Sequence, residues 1–155
     1  MSQYWLVKSE PEECGIEDFV KRASGVIRWD GVRNYQARNF LREMQQGDEV
    51  LLYHSSCANI GVAGILKVAR EAYPDPLQFD PESPYFDPKS PADKPRWSAV
   101  DLAYVSKAAH ILPLSELKQM AELADSALIK RARLSVMPLA RTEWDAITGL
   151  GSFAR

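Results

Sequence analysis

Seven of the chain's ten prolines fall between Pro74 and Pro95, a density that rules out one continuous helix or a central strand across that stretch. A six-residue pattern recurs inside it, Phe-Asp-Pro-Glu-Ser-Pro at 79–84 and Phe-Asp-Pro-Lys-Ser-Pro at 86–91. From Glu71 to Asp101 the segment is acidic, with three Lys+Arg against seven Asp+Glu. So long a proline-rich stretch is either a disordered linker or an ordered functional loop. Phe79, Tyr85, Phe86 and Trp97 favour the ordered loop, because linkers seldom carry so many apolar anchors.

The flanking segments read as short elements. Tyr4 to Lys8 is a strand stopped by Ser9-Glu10-Pro11. Ile16 to Ala23 and Asn34 to Met44 place apolar residues at helical spacing, with Arg38 and Arg42 sharing a separate face of the second helix. Glu49 to Ser55 and Ile60 to Glu71 read as strands, Gly61 and Gly64 marking a bulge or sharp curvature in the latter. Trp97 to Ile111 supplies one or two strands, Pro113 to Ala124 a helix, and Thr142 to Thr148 a last helical turn capped by Thr142 and stopped by Gly149. No linker separates two cores, so a single domain over 1–155 is expected, an α+β fold around a small barrel.

Composition narrows the function classes. At 155 residues the chain can bury a real core, and 46% hydrophobic with 26% charged residues is ordinary for a globular protein. A net charge of −2 argues against a protein that coats duplex nucleic acid through its overall charge, while leaving room for a local basic face. The longest apolar run, Ile60 to Leu66, is too short to span a bilayer, and the first residues lack the character of a secretory signal. Cys14 and Cys57 sit in no metal-binding or redox spacing and read as reduced structural thiols. The expected compartment is the cytoplasm, or the nucleus where there is one, with no membrane partner.

Catalytic signatures are missing. There is no nucleophile elbow, phosphate-binding Walker loop or dinucleotide fingerprint. His54 and Ser55 are adjacent on a strand and point to opposite faces, so they make a poor base and nucleophile. His110 is isolated. Asp80 and Asp87 precede prolines and set turns in preference to holding a cation. No catalytic residue, metal or cofactor is expected. What remains is a pattern of polar residues interleaved with aromatics, centred on Trp29 to Asn39, where a glycine turn opens a helix and two arginines follow. A second basic cluster comprises Lys130, Arg131, Arg133 and Arg141. On composition alone, these features also suit a solvated helix with a core tryptophan.

Read together, six segments carry more. They are Tyr4 to Pro11, Trp29 to Asn39, Gly47-Asp48 with Tyr53-His54-Ser55, Tyr85 to Ser90, Pro95-Arg96-Trp97, and Arg133-Leu134-Ser135-Val136. In this order, and over nearly the whole chain, they resemble the EVE family. Leu51-Leu52 departs conservatively from it, since an aromatic is common before the Tyr-His-Ser motif. The resemblance implies a PUA-like fold, a curved β pseudo-barrel with short flanking helices, related to the YTH and ASCH domains. It also implies non-enzymatic binding of DNA or RNA bearing a modified base, such as 5-methyl- or 5-hydroxymethylcytosine, flipped into an aromatic-walled pocket.

Carried onto this sequence, the base pocket comprises Ser9, Glu10, Trp29, Gly31, Val32, Asn34, Tyr53, His54, Ser55 and Trp97. Trp29 and Tyr53 are the expected walls, Trp97 closes one side, and Trp5 and Trp144 belong to the core. Ser9, Asn34, Ser55, Glu10 and backbone near Gly31 supply hydrogen bonds to the base edge. Lys8, Arg33, Arg38, Arg42 and Arg133 are the expected phosphate contacts, although Lys8 and Glu10 equally suit a surface ion pair. A monomer acting through an effector in trans completes this reading. Two rivals stay open, a nucleotide-processing hydrolase and a sensor of a free nucleoside.

Overall fold

The computed structural model describes residues 3–150 and Phe153, so the outermost residues of the expected 1–155 unit lie outside the described residues. Six strands form one mixed sheet: β1 (Tyr4–Ser9), β2 (Val26–Trp29), β3 (Glu49–His54), β4 (Gly61–Pro74), β5 (Ser98–Pro113) and β6 (Val136–Leu139). Their spatial order is β2-β5-β4-β3-β1-β6. Five helices flank it: α1 (Ile16–Lys21), α2 (Tyr35–Glu43), α3 (Leu114–Leu117), α4 (Ala127–Lys130) and α5 (Arg141–Leu150). Two 3-10 turns, Pro76–Phe79 and Ala121–Leu123, complete the elements.

β1 and β3 run parallel, Lys8 opposite Tyr53 and Ser9 opposite His54. Their runs Trp5-Leu6-Val7 and Val50 to Tyr53 are buried throughout, as strands covered on both faces must be. The parallel pairing brings the carboxyl ends of both strands, with the loops that follow, to one end of the sheet. β4 and β5 slip register at four places along their length, the first between Val62 and Gly64, and such bulges bend and twist a ladder. A Cβ on Gly64 would lie 2.5 Å from Ile16 Cδ1 and 2.7 Å from the Ser106 carbonyl oxygen. Glycine there lets α1 seat Ile16 and Phe19 directly on the curved sheet.

Asp48, almost wholly buried, accepts from the amides of Gln3 and Gln45 and from the Trp5 indole, at 2.9–3.1 Å. The Gly47-Asp48 motif thus fastens α2 and β3 to the first strand. Trp5 and Trp144 are core residues, as expected, and Trp144 stacks on Tyr4 with ring centroids 4.8 Å apart.

Several boundaries differ from the sequence reading. The sheet is open, with β2 and β6 as its edges, so the curvature of a barrel is present without its closure. Val26–Trp29 and Val136–Leu139 are strands of four residues, too short to show a period. The helix expected over Pro113 to Ala124 breaks into α3 and a 3-10 turn. Leu117 and Leu123 are both fully buried, yet one helix would point residues six apart about 120° from one another. α5 runs past Gly149, and the amide of Ala140 is satisfied by Glu143 Oε1 at 2.7 Å, not by Thr142. Among the described residues no helix is long and apolar enough to cross a membrane.

Candidate functional site

A cavity of about 1090 Å³ opens where β1 and β3 end. β2 delivers Trp29 to it, and the turn that follows delivers Gly31 and Val32. β3 delivers Tyr53, whose ring is buried under the Lys8 side chain, Nζ lying 5.4 Å from the ring centroid. Lys8 Nζ also donates to the Ala132 carbonyl at 3.0 Å, so it forms no ion pair with Glu10. Burial holds its pKa below the usual lysine range. Ser9, Glu10, Ser55, Arg33 and Arg133 complete the sequence-expected residues that face this space.

The third aromatic wall is Tyr85, from the proline-rich loop, in the place expected for Trp97. Gly31 has φ +74, and a Cβ there would sit 3.0 Å from the Tyr85 ring. Only a residue without a side chain takes that backbone conformation freely and lets the ring lie against the turn. Tyr85 hydroxyl meets the Glu13 carboxylate across from it. Tyr85 stands between the two Phe-Asp-Pro repeats as one of several loop aromatics, and nothing in the sequence separates it from Phe79 and Phe86, which are exposed.

The loop is ordered by buried polar groups that the sequence reading missed. Asp75 is wholly buried and accepts from the amides of Gly31 and Leu77, each at 2.8 Å, and from Arg33 Nη1 at 2.9 Å. Gln78, equally buried, donates to the carbonyls of Asp75 and Trp97 and accepts from Ser90 Oγ and the Trp97 amide. The Asp-Pro pairs set turns: Asp80 and Asp87 each accept from the amide two residues on, at 3.0 Å. Asp87 also accepts from the Trp97 indole at 2.8 Å, the interaction that most strongly lowers its pKa.

Six expected site residues have other work. Trp97 is buried, stacks on Tyr35 with centroids 4.8 Å apart, and lies outside the cavity. Asn34 caps α2, its Oδ1 accepting from the Ala37 amide at 2.9 Å. His54 turns to the opposite face of β3 from Tyr53, where Nε2 accepts from the Ile16 amide at 3.1 Å. Burial holds its pKa below the usual value, favouring the neutral ring that this acceptor role requires. Arg38 and Arg42 face the proline-rich loop and donate to the Arg96 carbonyl, with Arg42 also reaching Ser98 Oγ at 2.9 Å. Arg33, though it lines the cavity, spends its guanidinium on Asp75 and on the carbonyls of Val32 and Tyr85. All three guanidinium groups are bonded to the proline-rich loop.

Some groups around the cavity remain uncommitted. Among the described residues the Tyr53 hydroxyl, the Ser55 hydroxyl and the Glu10 carboxylate have no protein partner. Burial, with a smaller contribution from Cys57, pushes the Tyr53 pKa up to about 12, so its hydroxyl stays a donor at neutral pH. Ile27, Val32, Ile60 and Leu114 give the lining apolar surface. Cys14 is free, half-buried and pushed up to about 11, chiefly by burial, which leaves it the inert thiol expected. His110 is exposed and outside the cavity.

Residues 3–150 match the EVE domain family. The chain is 42% identical to human thymocyte nuclear protein 1, over 97% of this chain and 74% of that protein. Its structure resembles a crystal structure of a Pseudomonas putida protein with TM-score 0.91 and 53% identity, covering 95% of this chain and 98% of that one. It also resembles human THYN1 protein crystallised in complex with 5-methylcytosine-containing DNA, with TM-score 0.93 and 42% identity over 96% and 97% of the two chains. The fold is PUA-like, and it extends to the YTH domain of Zygosaccharomyces rouxii MRB1 protein, with TM-score 0.53 at 15% identity over 96% and 86% of the chains.

Proposed function

The chain belongs to the EVE domain family, and on that premise we propose that it is a non-enzymatic reader of nucleic acid carrying a modified base, with a modified cytosine as the favoured target. The observation that carries this reading is the cavity bounded by Trp29, Tyr53 and Tyr85 at the carboxyl ends of two parallel strands. Its relative solved with 5-methylcytosine DNA supports the choice of base.

A base taken out of its stack loses stacking and pairing, and aromatic walls restore part of that loss. Each stacked base is worth roughly 1–3 kcal/mol on such a surface. Ser55 and Tyr53 supply hydroxyls for the base edge, and Glu10 supplies an acceptor for an exocyclic amine. The apolar groups of Ile27, Val32 and Ile60 offer a 5-methyl substituent somewhere to leave water. Binding without catalysis is supported by the commitment of His54 to the Ile16 amide, which leaves Ser55 without a neighbouring base. The raised pKa of Cys14 keeps that thiol protonated.

Extrusion of the base has a direct readout. A 2-aminopurine placed beside a 5-methylcytosine should brighten when the protein is added, because its neighbour has left the stack. The same strand with plain cytosine should respond less at equal occupancy. Equal, weak responses from both strands would count against the reading.

A further inference from the structure

A second cavity, of about 310 Å³, adjoins the large one, and Ala132 and Arg133 line both. Its other walls are Asn34, Lys130, Arg131 and Leu134, so it has three cations and no carboxylate in its lining. The lining of the large cavity, by contrast, includes four carboxylates.

The three cations are available. Arg133 makes no hydrogen bond or ion pair among the described residues. Lys130 holds Asp125 at 2.8 Å, but that partner's side chain is 93% exposed, and such surface pairs are readily given up. Among the described residues the Arg131 side chain donates only to the neutral Gln36 side chain. Asn34 spends its Oδ1 on the Ala37 amide and keeps its amide nitrogen as a donor into the same space. The contrast with Arg33, Arg38 and Arg42 is one of geometry: those guanidinium groups are already occupied by loop carbonyls.

We propose, on the basis of the base-reader function above, that the smaller cavity seats the phosphate flanking the nucleotide whose base enters the large cavity. Arg133 stands between the two and contacts that phosphodiester, while Lys130 and Arg131 neutralise it from the outer wall. The ligand is then a stretch of nucleic-acid strand and not a free nucleoside.

The test uses the full chain and the variant K130A/R133A, both positions being exposed, with circular dichroism to check folding. Oligonucleotides with and without one 5-methylcytosine are titrated across a salt series. The variant should lose affinity for both strands in the same proportion, roughly tenfold or more. Its plot of log affinity against log salt should be shallower by about 0.7–0.9, the change expected when one phosphate is no longer neutralised. A methylphosphonate at the linkage beside the modified nucleotide should weaken the parent more than the variant, which keeps only Arg131 of the three cations. A variant that keeps the parent's slope, or a parent indifferent to every methylphosphonate, overturns the phosphate seat. If the slope falls as expected but the parent never prefers the modified strand, the phosphate seat stands and the base-reader function fails.

Discussion

The Gly31 amide donates to Asp75 Oδ2 at 2.8 Å, tying the turn after β2 to the first residue beyond β4. That bond joins a wall of the cavity to the start of the proline-rich loop. The same carboxylate fixes Arg33, and Arg33 grips the Tyr85 carbonyl through Nε at 3.1 Å and Nη2 at 2.8 Å. Position of the third aromatic wall therefore descends from one buried carboxylate, through two bonded neighbours.

Replacing that carboxylate should be costly. In Asp75→Asn the half-buried Arg33 loses its charge partner, and an amide group faces donors that expect an acceptor. Breaking a buried ion pair costs about 3–5 kcal/mol. The lower end applies here, because the Arg33 side chain keeps 21% exposure. Urea denaturation should register the loss as a lower midpoint, and a change under about 1 kcal/mol, the size of a surface pair, would contradict the clamp.

Gly31→Ala should destabilise by about 1–2 kcal/mol from its left-handed backbone alone. The added methyl also meets Tyr85, so the two positions should couple. In a double-mutant cycle with Tyr85→Ala, the alanine at 31 should cost less once the ring is gone. Additive effects would mean that the ring does not rest on this turn.

Protonation of His54 should weaken the fold. Its native pKa lies below the unfolded value near 6.5, chiefly because the ring is buried. The unfolded chain thus takes up the proton first, and the stabilisation present above pH 6.5 is lost as pH falls through the native pKa. The Ile16 amide loses its acceptor in the same step. Stability measured from about pH 7 down to about pH 5, the range that spans histidine titration, should decline more steeply in the parent than in His54→Gln, and parallel curves would refute this.

Asn34→Ala should cost about 1 kcal/mol of stability, the usual worth of a helix N-cap, because its Oδ1 is bonded to the Ala37 amide. Preference for a modified base should survive. A variant of full stability that bound both strands equally would return Asn34 to the base edge, where sequence alone placed it.

The differences between what the sequence disclosed and what it hid follow from range. Local patterns showed β1, β3 and both amphipathic helices, and the order of motifs singled out Trp29 and Tyr53, which line one cavity. Arg38 and Arg42 were legible as one face of α2, but their partner was not. That partner is a loop far along the chain, placed by bonds such as Arg33–Asp75 and Arg42–Ser98. Which loop aromatic faced the cavity was hidden for the same reason. Periodicity says nothing about a segment whose conformation is set by a buried glutamine and aspartate. Nor does any local signal announce that β1 and β3 run parallel, the pairing that creates the site.

The most direct test is titration of short labelled DNA and RNA strands, with and without 5-methyl- or 5-hydroxymethylcytosine, at two salt concentrations. Phosphate contacts alone give affinity that is steep in salt and blind to the base. The cavity lined by Trp29, Tyr53 and Tyr85 predicts tighter binding of one modified strand, a preference that persists at the higher salt and is reduced by Tyr85→Ala. Equal affinity for modified and unmodified strands, falling away together as salt rises, would contradict it.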